Sequence, residues 1–203
     1  MARYPDLLAL TVLGLLSEQP RHPYDLQRLI RSRHKDFAAE KARGLYHAVD
    51  RLVRKSLIEP VETNREGRRP ERTIYQLTEN GRDEFETWLR DLLENPVAEH
   101  PVFTAAVSFL CYLPQATACE ALQARTVALE SEIAGLDAAL RVLQENLALP
   151  RLFLIEHEFT RALRAAELAW VRGLIDDMTA GRLGWDRAAL QELAIAFRQT
   201  ATA

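Results

Sequence analysis

Apolar positions along the chain recur at helical spacing in blocks, and proline or glycine marks most of the breaks between blocks. In residues 6–18, Leu7, Leu8, Leu10, Val12, Leu13, Leu15 and Leu16 cover most of a helix's circumference. A helix apolar nearly all round is buried on more than one side, so this one is expected between its own domain and a second surface such as another subunit. Gln19-Pro20-Arg21-His22-Pro23 breaks it, and a second helix over 24–33 carries Leu26, Leu29 and Ile30 inward. In a third helix, over 44–55, Leu45, Val49 and Leu52 face a core while Tyr46, His47, Arg51 and Arg54 point away. Two short strands follow, 61–64 and 72–77, around the tip Arg65-Glu66-Gly67-Arg68-Arg69-Pro70. There Gly and Pro supply turn chemistry and three arginines supply charge. Thr78-Glu79-Asn80-Gly81 opens a fourth helix through Phe85, Trp88, Leu89, Leu92 and Leu93, closed by Asn95-Pro96.

Residues 94–101 read as a linker, with two prolines and a change of charge sign. A short apolar helix over 102–112 ends at Leu113-Pro114, and a long helix is predicted over 115–148. In it Leu129, Ile133, Leu136, Leu140, Leu143 and Leu147 step as a heptad seam. After Leu149-Pro150 another long helix is predicted over 151–180, with Leu152, Ile155, Phe159, Leu163, Ala166, Trp170 and Leu174 along one side. Gly181 and Gly184 end it, and 187–198 reads as one more turn or helix. Two long amphipathic helices joined by a tight turn form an antiparallel arm with little core of its own, which is expected to pack against a second subunit. A bundle closed within one chain is the alternative. The expected fold is therefore mainly α: an N-terminal winged helix-turn-helix domain with a two-stranded wing over 1–94, and a helical dimerisation and effector domain over 95–203.

Charge sharpens this division. The net charge of −3 conceals 14 Lys/Arg against 8 Asp/Glu over 21–72, and 9 against 14 over 94–203. A basic segment on an acidic body is the electrostatic footprint of a nucleic-acid reader with a separate partner-binding half. A helix followed by a basic hairpin suits a DNA duplex, the helix entering the major groove and the hairpin following the phosphates. Lys41, Arg43, Tyr46, His47 and Arg51 are the expected contacts on the helix, and Arg68 and Arg69 those on the wing. A twofold dimer would place two readers about 34 Å apart and favour double-stranded DNA with an inverted repeat. Aromatic side chains of the second half, Phe103, Phe109, Tyr112, Phe153, Phe159 and Trp170, with His157 as a polar contact, are candidates for binding a small effector.

Other chemistry finds little support. The five histidines lie far apart without metal-ligand spacing, and neither a phosphate loop nor a nucleophile elbow is present. No enzyme activity, cofactor or metal is expected. Cys111 and Cys119 read as reduced residues of a cytoplasmic protein, and no run of about 18 apolar residues suggests a membrane span. A helical adaptor that does not bind DNA is the competing class; it accounts for the long helices but not for the basic hairpin.

Several motifs carry a family resemblance. Pro23-Tyr24-Asp25-Leu26, the stretch Gly44-Leu45-Tyr46-His47-Ala48-Val49-Asp50-Arg51-Leu52, and Tyr75-Gln76-Leu77-Thr78-Glu79-Asn80-Gly81 after the wing resemble the PadR family of bacterial transcriptional regulators. Phe153-Leu154-Ile155-Glu156-His157-Glu158 and Ala169-Trp170 are similar to its longer-armed branch, so the resemblance spans about residues 7–183. It implies a winged-helix homodimer, usually a repressor, often released from DNA by a small and sometimes aromatic molecule. Pro23, Gly44 and Ser56 depart from the family's usual Gly, Ser or Thr, and Gly, respectively, which leaves the fold intact and the base preference open.

Overall fold

Asp6 fixes the start of the first helix. Its carboxylate accepts a hydrogen bond from the Ala9 N–H at 3.0 Å, capping α1 (Leu7–Glu18). The computed structural model describes residues 6–33, 35, 38, 42–64, 72–96, 99 and 101–186, with 42, 62–64 and 72 as backbone alone. α2 (Pro23–Ser32) starts on proline at its first position, where no N–H is needed. It is followed by α3 (Ala42–Arg54), β1 (Ile58–Asn64), β2 (Arg72–Leu77) and α4 (Glu79–Glu94). The chain divides into two compact units, Met1–Ala98 and Glu99–Ala203.

In the first unit, no residue from Leu7 to Leu16 is exposed. Its own neighbours provide the cover, since α1 packs on α2, α3, α4 and β2. The all-round apolar pattern thus marks the central helix of this unit. Around it Leu26, Ile30, Leu45, Ala48, Val49, Leu52, Leu57 and Ile58 complete one core, with Phe85 and Trp88 packed on its edge.

The wing is an antiparallel pair that begins earlier than the alternation predicts, at Ile58, and runs through Pro60. Proline is tolerated because Tyr75, opposite it, gives its backbone groups to the other side: Tyr75 and Arg21 exchange two N–H···O=C bonds of 3.0 Å. The α1–α2 connection is thereby stitched to the sheet, and a bulge follows at Pro60/Glu62. The wing tip, with Arg68 and Arg69, lies outside the described residues.

The second unit contains α5 (Val102–Ser108), a 3-10 turn at Leu110–Tyr112, α6 (Gln115–Arg141) and α7 (Ile155–Thr179). The predicted single helix over 115–148 instead ends as α-helix at Arg141, passes through a π-helical turn at Val142–Asn146, and reaches Ala148 with φ +47°. α6 and α7 form an antiparallel hairpin whose core, Ala118, Leu122, Val171 and Met178 with Phe103, Leu110 and Trp185, gathers at one end. There Trp185 donates its indole N–H to the Leu113 carbonyl at 2.9 Å. Away from that end the two helices are joined by ion pairs: Arg125–Glu167, Arg172–Glu130, Arg164–Glu132 and Arg161–Asp137. α7 turns Leu168, Val171, Ile175 and Met178 toward α6. Of the stripe singled out in the sequence, Leu152, Ile155, Phe159, Leu163 and Trp170 are at least half exposed, Ala166 is exposed, and Leu174 packs against the core. No helix among the described residues is long and apolar enough to cross a membrane.

Candidate nucleic-acid interface

The third helix owes its orientation to its buried side. Leu45, Ala48, Val49 and Leu52 fill the core, which leaves Arg43, Tyr46, His47, Asp50, Arg51 and Arg54 on the surface. Helical spacing puts Arg43, His47, Asp50 and Arg54 on one line along the helix. Tyr46 lies on one flank, 47% exposed, and Arg51 on the other. Lys41 falls outside the described residues. Arg54 also belongs to this line. It is absent from the contacts expected on sequence grounds, although its outward position was readable from the spacing.

The flanks differ in electrostatics. Burial, with the Asp50 carboxylate adding to it, pushes the Tyr75 phenol above its ordinary value, so the wing side of the line presents a neutral hydroxyl beside a carboxylate. On the opposite flank Arg51 donates to the Asp6 carboxylate at 2.6 Å. This pair edges a groove of about 340 Å³ between α1, α3 and α4, lined also by Leu10, Trp88 and Asp91. The Lys55 ammonium lies 5.9 Å from the Trp88 ring centroid there, a cation–π contact.

A second basic surface escaped the sequence reading. α2 exposes Tyr24, Arg28 and Arg31 at i, i+4 and i+7, around a shallow surface hollow of about 360 Å³. In a helix-turn-helix the helix before the reader crosses the DNA backbone, and guanidinium groups at this spacing suit successive phosphates. The regular cationic spacing was the available signal. Glu18 holds the far end of this helix: its carboxylate accepts from Arg33 at 3.0 Å and from Arg21 at 2.8 Å. The Arg33 guanidinium, opposed by burial and helped by Arg21, keeps the Glu18 carboxyl below its usual range.

The seven effector candidates do not gather in one place. Phe103 and Trp170 meet edge to face with centroids 6.1 Å apart, and the Arg125 guanidinium stacks on the Phe103 ring at 3.7 Å. Phe109 and Tyr112 form a separate tilted pair at 6.2 Å, both exposed. Tyr112 also lines a hollow of about 290 Å³ with Cys111, Gln115 and Trp185. Phe153, in the 3-10 turn at Arg151–Phe153 before α7, and Phe159, on the stripe of α7, are both exposed. His157 buries its Nδ1 without a hydrogen-bond partner among the described residues.

A three-helix core, a reader helix with a polar outer line and an antiparallel ribbon after it define a winged helix-turn-helix fold of the DNA-binding class. Residues 12–87 match the Transcriptional regulator PadR-like family, and the chain carries a PadR-like transcriptional regulator domain there. Among solved structures the chain resembles Bacillus subtilis PadR in complex with operator DNA, with a TM-score of 0.70 and 18% identity over 87% of this chain and 99% of that one. The same Bacillus subtilis protein in complex with p-coumaric acid matches with a TM-score of 0.69 and 17% identity, covering 85% and 99%. The Vibrio cholerae virulence activator AphA matches with a TM-score of 0.63 and 15% identity, covering 85% and 98%. At these identities the structures share the fold. No curated protein matches the chain.

Proposed function

We propose that this protein is a cytoplasmic homodimeric repressor that reads an inverted-repeat operator through α3 and is released by a small, aromatic effector. It is a regulator rather than an enzyme, with residues 1–94 holding the DNA and 95–203 serving dimerisation and effector binding. The observation that carries the reading is the outer line of α3. Arg43, His47, Asp50 and Arg54 lie along one line on a helix whose other side is locked into the core. Such a helix presents a fixed polar edge, with two guanidinium groups on it, to the major groove. Arg43, Tyr46 and His47, with Lys41 two residues before Arg43 in sequence, meet the DNA first. Tyr24, Arg28 and Arg31 lie along phosphates, and Arg68 and Arg69 follow the backbone or the minor groove.

The exposed stripe of α7 supports self-association, because an apolar face of this length is unusual on an isolated surface helix. Phe153 and Phe159 then serve the dimer. Phe103 and Trp170, with Arg125 stacked beside them, are the better effector contacts, since they combine aromatic surface with a cation. The structure solved with p-coumaric acid makes that compound a sensible first probe.

Binding to duplex fragments from the promoter region of the protein's own gene, measured against salt concentration, tests the reading. Affinity is expected to fall steeply with salt, and charge reversal at both Arg68 and Arg69 should flatten the slope by about 4 for the dimer, one for each phosphate no longer neutralised on the two half-sites. Negligible, salt-independent affinity would favour the adaptor class.

A further inference from the structure

Arg51 stands on the reader helix, yet its charge is already committed. Its guanidinium donates to Asp6 Oδ2 at 2.6 Å, and the two residues lie 45 apart in sequence. Asp6 divides its carboxylate between two tasks, because Oδ1 accepts the Ala9 N–H that caps α1. The pair sits at the edge of the groove between α1, α3 and α4, off the line formed by Arg43, His47 and Arg54. Both side chains are partly exposed, 44% for Arg51 and 40% for Asp6, so a phosphate can reach the guanidinium and compete with the carboxylate.

We propose that Asp6 is a positioning residue for DNA binding, a latch that holds Arg51 away from the duplex and ties the charge offered by α3 to the position of the first turn of α1. With the latch closed, guanidinium and carboxylate cancel and Arg51 adds little to phosphate attraction. With it open, α3 gains a cation. An exposed pair of this kind is weak, which is what a releasable contact requires. Any event that shifts the start of α1 then alters affinity for DNA without touching the duplex.

This inference rests on the DNA-binding reading above, and a double-mutant cycle separates the two. Asp6→Asn keeps a good helix cap while removing the charge. It is expected to tighten duplex binding about three- to fivefold per subunit at low salt, the range set by the strength of an exposed pair, and so roughly ten- to twenty-five-fold for the dimer. It should also make the slope of log K against log salt more negative by about 2, one for each subunit. Arg51→Gln alone should weaken binding, because it leaves the Asp6 carboxylate uncompensated beside the duplex, and in the Asp6→Asn background it should return affinity to about that of the parent. Thermal unfolding of each variant without DNA checks that the fold persists, and Asp6→Ser, also a good cap, replaces Asp6→Asn if that variant melts early. If the parent protein shows no salt-dependent binding, the DNA-binding reading itself fails. If the parent binds but Asp6→Asn matches it or weakens it, or the gain survives loss of Arg51, the latch alone is overturned.

Discussion

Ser56 occupies a position that favours glycine. It follows the last turn of α3 with φ +56°, where the Ser56 and Leu57 N–H groups bond the Val53 and Leu52 carbonyls at 2.9 and 3.0 Å and close the helix end. A side chain in the left-handed region costs on the order of 1–2 kcal/mol, which glycine avoids. Ser56→Gly is therefore expected to stabilise the first unit by about 1 kcal/mol, after the entropy cost of glycine in the unfolded chain is subtracted, as read from a denaturant midpoint. Gly81 is the opposite case. A β-carbon there would lie 1.9 Å from the Leu57 carbonyl oxygen, because Thr78 pins the start of α4 against the wing by accepting from the Gly81 N–H and donating toward the Ser56 and Leu57 carbonyls. Gly81→Ala should cost about 3 kcal/mol, at the upper end for overpacking, because backbone rather than a flexible side chain must move; a near-neutral melt would show that the contact yields cheaply. The sequence made Ser56 visible as a departure from a glycine pattern. The tight approach at Gly81 is tertiary, and no local spacing reports it.

At the scale of elements, short helices bounded by proline or caps were legible, since each has a single apolar side and one place to put it. The long helices were harder. α7 carries apolar residues on two sides, and periodicity finds both without saying which meets α6. The candidate site divides in the same way. The outer line of α3 followed from its inner one, whereas the fate of Arg51 depended on a carboxylate 45 residues away. Glu18 is another contact made across elements, joining the end of α1 to Arg21 beside the sheet and to Arg33 after α2. Its carboxyl is depressed, chiefly by the hydrogen bond from Arg33, so the folded state holds its proton less tightly than the unfolded chain. The stabilisation is present above the ordinary glutamate range, near 4.3, and is lost as pH falls through the lower folded value. Solvent screening of this partly exposed group limits the effect to roughly 1 kcal/mol. In Glu18→Gln the part of the acid-induced loss of stability below pH about 4.5 that belongs to this group should disappear. An unchanged pH–stability curve would mean that the bridge contributes nothing.

At the scale of the whole molecule, the hairpin of the second unit is stable at one end and incomplete along its length. Ala118, Leu122, Val171 and Met178 fill the end away from the connecting turn, buried Leu129 and Leu168 and ion pairs hold the helices further along, and Ile155, Phe159 and Leu163 remain at least half exposed. A second copy is the natural cover, because a stripe along one helix can meet its twofold mate and be buried on both. Symmetry then makes every substitution in the stripe act twice. Burying a large apolar side chain contributes about 1.5–3 kcal/mol, so losing two at the interface weakens association by roughly 3–6 kcal/mol, two to four orders of magnitude in dissociation constant. Phe159→Glu, which also brings two carboxylates together, is expected to turn a dimer at micromolar concentration into a monomer by sedimentation velocity while leaving the helical circular dichroism intact. DNA affinity should then fall with it, since a lone reader loses the second half-site. A Phe159→Glu protein that remains dimeric would place the subunit contact elsewhere on the arm and leave the stripe to another partner.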